Sequence, residues 1–210
     1  MTLRDISVTL RQGTPEWPGD TPFSCTWAWK KSAGDSVNVS CLTGSPHVGT
    51  HADAPLHVAD GAAAADALPV DAFMGPATVV DLRARTGDVP ADDPVFAGPI
   101  AGGRLLLRTG RSIAEGSFPA AWPALSGDAV QLLMSRGLRL VGVDCLSVDL
   151  RESTSLANHH ALFAGGACVL ENLDLRNVDA GDYELVAAPI KIGGADAAPV
   201  RAVLRSLGSE

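Results

Sequence analysis

The chain has 210 residues, 46% hydrophobic and 19% charged, with a formal net charge of -8. That length and balance suit one globular domain spanning 1–210 with a sizeable core, and leave little room for a second. The acidic surplus argues against nucleic acid as a partner, because phosphate binding needs Lys and Arg gathered on one face. The longest apolar stretches, 138–148 and 184–192, carry or adjoin charges and fall short of the roughly 20 residues needed to cross a bilayer, so no membrane span is expected.

From the N-terminus, Met1-Thr2-Leu3-Arg4-Asp5 places an acid where a signal peptide needs a basic start and an apolar run, which predicts a cytoplasmic protein. Short β-branched runs then predict strands at Ile6 to Leu10, Phe23 to Trp29, Val37 to Leu42, Ala77 to Leu82 and Arg104 to Arg108. A short helix over Ala62 to Phe73 is interrupted by Pro69, and Thr86 to Gly103, rich in Pro, Asp and Gly, reads as a surface excursion. A helix over Asp128 to Arg136 has Ser126 as its cap and Gly137 as its stop. It feeds a strand at Leu140 to Leu146. A second helix, Ser155 to Ala164, is capped by Ser153, Thr154 or Ser155, ends at Gly165-Gly166 and leads into a strand at Cys168 to Leu173. The last strand is expected at Glu184 to Ile192, and the later strands read as buried on both faces. Early strands followed by helix-strand units define an α/β domain with mixed sheets.

Cys25, Cys41, Cys145 and Cys168 lie far apart with no C-x-x-C pair, so they read as small buried apolar residues. Cys145 would be a nucleophile only with a histidine base beside it in the fold.

Histidine usage is more informative, since all five fall in two windows. The first, His47-Val48-Gly49-Thr50-His51-Ala52-Asp53-Ala54-Pro55-Leu56-His57, puts three imidazoles and a carboxylate within eleven residues. Such nitrogen and oxygen donors suit zinc, manganese or a similar divalent ion. Gly49 and Pro55 disfavour one continuous helix, so the donors should sit on a turn and a short extended piece. Extended backbone at 51–53 would point His51 and Asp53 to one side, with His47 arriving from the preceding turn. Asp53 has two oxygens and can bridge two cations.

In the second window, His159 and His160 lie on the second helix and point about 100° apart, so one of them faces the site. Glu171, an acid in an apolar strand, needs a partner or a metal, and His159 is a natural one.

The eleven-residue window resembles the H-x-G-T-H-x-D-x-P-x-H signature of the cyclase-like metal-dependent hydrolases, a family that includes the bacterial kynurenine formamidases. His159 preceding Glu171-Asn172-Leu173 by twelve residues is similar to the family's downstream pattern and selects His159 over His160. Glu16-Trp17-Pro18-Gly19-Asp20 resembles its aromatic-P-G-D entry, with tryptophan as in the formamidases.

The resemblance implies a swivelling β/α/β domain with mixed β-sheets packed with helices, assembled as a homodimer or higher homo-oligomer. It implies His47, His51 and Asp53 on one metal, and Asp53, His159 and Glu171 on a second, with two zinc ions per subunit or manganese in their place. His57 is implied as general acid/base, and Trp17 as a substrate-stacking ring. The implied reaction is hydrolysis of N-formyl-L-kynurenine to L-kynurenine and formate by a metal-activated water, with opening of a cyclic amide such as isatin as the neighbouring alternative. A metal-binding module without chemistry is the remaining one. Arg83, Arg85, Arg108 and Arg111 could meet the substrate carboxylate but read as solvated surface residues.

Overall fold

The structure is a computed structural model that describes residues 2–207. In chain order the elements are β1 (Leu3–Asp5), β2 (Ser24–Trp29), β3 (Val39–Thr43), β4 (His51–Asp53), β5 (Met74–Asp81), β6 (Asp88–Val89), β7 (Arg104–Arg108) and β8 (Ala124–Leu125). They continue with α1 (Gly127–Ser135), β9 (Leu140–Val143), α2 (Ala157–Ala164), β10 (Cys168–Glu171), β11 (Gly181–Val186), β12 (Ala197–Pro199) and β13 (Val203–Ser206).

Nine strands form one sheet in the order β1-β13-β11-β5-β7-β9-β10-β4-β12. The four central strands β5, β7, β9 and β10 are parallel, and antiparallel strands extend the sheet on both sides. This is the mixed α/β architecture the sequence predicts. Strands β7, β9 and β10 are buried along their whole length, as expected when a parallel sheet is covered on both faces.

The period of two along a strand divides the core. Leu105, Leu107, Val141, Val143 and Val169 join Val130, Leu133 and Leu162 of the helices on one face. Leu106, Leu140 and Leu170 join Ile6, Phe73, Leu185 and Leu204 on the other. Ser126 caps α1 by accepting from the Ala129 N–H at 3.3 Å, as the sequence indicates. Helix α1 packs against α2, so both helices lie over the same sheet face.

Several expectations change. The first strand is not Ile6–Leu10 but Leu3–Asp5, because the following backbone bonds elsewhere: the Ile6 N–H donates to the Ala202 carbonyl and the Val8 N–H to the Thr50 hydroxyl. The strand expected over Glu184–Ile192 runs instead from Gly181 to Val186 and alternates exposed with buried, so only one face is covered. Pro189, which has no N–H to give a ladder, lies just beyond its end. The segment 62–73 resolves into two 3-10 turns, Ala65–Ala67 and Val70–Phe73, on either side of Pro69. The 86–103 segment is no mere surface excursion: Val89 and Phe96 are buried in the helix-side core and β6 pairs with β8 in parallel. Cys145 and Cys168 are buried as expected, but Cys25 and Cys41 are exposed on the separate β2-β3 ribbon. The Cys145 thiol donates to the Ser147 carbonyl, and its pKa is pushed well up by burial, the wrong direction for a nucleophile.

Buried Asp144, just past β9, ties two strand ends together. It accepts the backbone N–H groups of Thr109 at 2.7 Å and Gly110 at 3.0 Å, and also the Thr109 hydroxyl. Asp144→Ala strands these donors in the interior. A loss of about 3 kcal/mol is expected, read from urea unfolding, and a change under about 0.5 kcal/mol would contradict the assignment.

Candidate metal centre

The site is built on β4. Ala52 faces the core, while His51 and Asp53, two residues apart, share the opposite side as extended backbone requires. The β10 neighbour sets Glu171 directly opposite His51, and on the other flank β12 sets Ala197 opposite Asp53. Gly49 turns the chain so that His47 swings back over the strand: its φ is 74°, and a Cβ there would lie 2.5 Å from Leu10 Cδ2.

Two donor groups result, joined by Asp53. On one oxygen, Oδ1 lies 3.1 Å from His47 Nδ1 and 3.2 Å from His51 Nε2, and these nitrogens are 3.2 Å apart. On the other, Oδ2 lies 3.3 Å from His159 Nε2, which is 3.3 Å from Glu171 Oε1. Glu171 Oε2 turns toward the first group, 3.7 Å from His51 Nε2. Of the seven sequence-predicted residues, His47, His51, Asp53, His159 and Glu171 converge, His57 stands beside them, and Trp17 packs in an aromatic cluster with Phe118 and Trp122.

The donor set fits cations. Asp53 is fully buried, yet its Oδ1 accepts no hydrogen bond among the described residues. An ionised oxygen stranded in the interior is costly unless a positive charge answers it. Each converging imidazole is also anchored through its other nitrogen: His51 Nδ1 at 2.8 Å from the Gly49 carbonyl, His159 Nδ1 at 2.7 Å from Asp149 and His47 Nε2 at 3.0 Å from Asp196. Such partners fix the tautomer and leave the inward nitrogen's lone pair free for a metal.

Burial opposes charge on His47, but the Asp53 and Asp196 carboxylates outweigh it and push its pKa up to about 9. Burial opposes charge on His159 too, and Asp149, Asp53 and Glu171 together push it up to about 12. Burial would raise Asp53, but His51, His159 and His47 hold it well below the usual carboxylate range.

Two contributors escaped the sequence reading. Asp149 accepts the backbone N–H groups of Asn158 at 2.9 Å and His159 at 3.2 Å as well as the His159 ring, so it caps α2 and aims the imidazole together. The expected caps do not serve this role; Leu156 takes the cap position in a left-handed conformation, and Ser153 accepts only the Leu156 N–H. Asp196, from the loop before β12, touches both His47 and His57. An acid ending the apolar run at Val148 signalled Asp149; no local feature signalled Asp196.

His57 Nδ1 lies 3.4 Å from Asp196, and its ring is centred 4.3 Å from that of His47 and 5.8 Å from that of His159. His160 is exposed on α2. Trp17 packs edge-on against Phe118 and Trp122, with centroids at 5.5 and 6.1 Å, and the buried Trp122 indole donates to the Asp149 carbonyl. Arg83 and Arg85 are paired with Asp81 and Asp93, while Arg108 is buried and bonded to the Arg176 carbonyl, so it is not the solvated residue expected.

Fold and site together define a metal-dependent hydrolase. The chain belongs to the putative cyclase family, whose model matches residues 4–150. A kynurenine formamidase from Bordetella avium (strain 197N) is 42% identical over 206 residues, covering 98% of this chain and 99% of that protein. The structure of a predicted metal-dependent hydrolase from Bacillus stearothermophilus superposes with a TM-score of 0.81 at 29% identity, covering 97% of each chain. Isatin hydrolase A from Labrenzia aggregata shares the fold, with a TM-score of 0.77 at 23% identity over 97% of this chain and 93% of that one.

Because His47 and His159 carry raised pKa values, their protons favour the metal-free fold at low pH. The His47 contribution is fully present below its ordinary value of 6.5 and is lost as pH rises through about 9; that of His159 persists toward about 12. Metal ligation demands the reverse protonation state. Urea titrations between pH 6.5 and 9 should therefore show this contribution weakening in chelated protein while the stabilisation conferred by added zinc grows. A zinc increment independent of pH would contradict it.

Proposed function

We propose that the chain hydrolyses N-formyl-L-kynurenine to L-kynurenine and formate, a step of tryptophan degradation by the kynurenine route. The observation that carries this reading is the pair of donor groups sharing Asp53, with His57 outside both and grouped instead with His47 and Asp196, in a chain 42% identical to a kynurenine formamidase.

In this reading His47, His51 and Asp53 hold one zinc ion and Asp53, His159 and Glu171 the other, with manganese an alternative occupant of the same donors. When bound, the ions supply Lewis acidity toward a water and toward the formyl oxygen. His57 serves as general acid/base: it takes a proton from the attacking water and returns one to the aryl nitrogen as the C–N bond breaks. Its ring is centred 4.3 Å from that of His47 and 5.8 Å from that of His159, one member of each donor group, which suits a proton carrier between nucleophile and leaving group.

Trp17, partly exposed beside Phe118, offers a face for the substrate's aryl ring. The reading includes a homodimer, because the β2-β3 ribbon leaves Trp27, Trp29, Val39 and Leu42 exposed. An isolated two-stranded ribbon is marginal in water, and an apolar surface of this kind marks an interaction face.

Purified protein should release L-kynurenine from N-formyl-L-kynurenine, stop after chelation and recover with zinc or manganese. His57→Ala should retain bound metal while losing about 10²- to 10⁴-fold in kcat. Preferential turnover of isatin would replace the formamidase reading with cyclic-amide opening, and metal retention with neither activity would leave a binding module.

A further inference from the structure

Asp196 offers one carboxylate oxygen, Oδ2, to two imidazoles: His47 Nε2 at 3.0 Å and His57 Nδ1 at 3.4 Å. We infer that Asp196 is a positioning residue for the proposed hydrolysis, one that fixes the tautomer and aim of His57 through the oxygen that also orients His47. The inference rests on the functional reading above.

The main chain places this carboxylate. The Ala54 N–H donates to the Asp196 carbonyl at 2.9 Å, and the His57 N–H donates to the Ala54 carbonyl at 2.9 Å, so both residues hang from one residue of the histidine motif. The preceding residue is tied as well, since the Ala65 N–H donates to the Ala195 carbonyl at 2.8 Å. The β12-β4 register sets Ala197 opposite Asp53, and Asp196 is the residue immediately before β12 at that end. Loop and motif are thereby held as one piece, although 139 residues separate the two side chains.

The chemistry follows from the shared oxygen. A neutral imidazole has one N–H, and a carboxylate at Nδ1 selects the tautomer in which Nδ1 carries it. Nε2 is then free to take a proton from water. In the second half of the reaction the Nε2 proton passes to the departing nitrogen, which keeps the electron pair of the breaking C–N bond. Asp196 remains ionised throughout and neither gains nor loses a proton. His57 sits on a short 3-10 turn and is partly exposed, so a carboxylate partner adds to its ring contacts with His47 and His159 in fixing its orientation.

The test compares zinc-saturated wild type, Asp196→Asn, Asp196→Glu, His57→Ala and the Asp196→Asn/His57→Ala double variant on N-formyl-L-kynurenine, with bound zinc measured for each. Asp196→Asn should lower kcat about 100-fold with KM changed less than about threefold and zinc retained. Assayed at equal bound zinc, so that the hold of Asp196 on His47 is matched, the double variant should be no slower than His57→Ala alone, because what remains of the carboxylate's effect on turnover runs through the His57 ring. Asp196→Glu should recover more than about a tenth of wild-type kcat. An Asp196→Asn variant within about twofold of wild type, or losses that multiply in the double variant, would overturn the inference. Wild-type protein inactive on this substrate would bring down the functional reading itself, a failure distinguishable from an active wild type matched by Asp196→Asn.

Discussion

Asp53 is a charge with nowhere to go. It is fully buried on the middle of three short antiparallel strands, one oxygen shared among histidine nitrogens and left without a hydrogen bond. Burial of an uncompensated carboxylate costs several kcal/mol, so the surrounding architecture has to answer that charge. β10 delivers Glu171 and α2 delivers His159 to one side, while the Gly49 turn delivers His47 to the other. The parallel core beneath supplies the rigidity that keeps these donors in place.

Around the donors lies a ring of anchors with a second consequence. Gly49, Asp149 and Asp196 each hold the outward nitrogen of one imidazole, so the inward nitrogens are already aimed. Asp149 also carries the Trp122 indole on its carbonyl, and Trp122 packs with Trp17 and Phe118. The aromatic cluster and His159 therefore share one support, and in the proposed function this ties the placement of an aryl group to that of the reacting centre.

Much of this was legible in the sequence because it is local. The donors at 47, 51 and 53 and the neighbouring His57 fall in one window, and the alternation of His51 and Asp53 about Ala52 needs only extended backbone. Strand β7 and helix α1 were visible through their apolar pattern and the Ser126 cap. What was not legible arrives through topology. Asp196 reaches His47 across 149 residues, because β12 folds back beside β4, and no nearby pattern marks it. Ile6 and Val8 look like a strand ladder in sequence, but their N–H groups go to Ala202 and Thr50, so the first strand ends at Asp5. The exposed cysteines Cys25 and Cys41 were misread because their strands form a free ribbon instead of joining the main sheet.

The bridging role of Asp53 is the claim on which the account turns, and crystallography of the zinc-loaded protein tests it directly. Anomalous difference maps collected at the zinc edge should contain two peaks, one on each Asp53 oxygen, flanked by His47 and His51 on one side and by His159 and Glu171 on the other. A single peak, or two peaks with Asp53 bound to neither or only one, would contradict it.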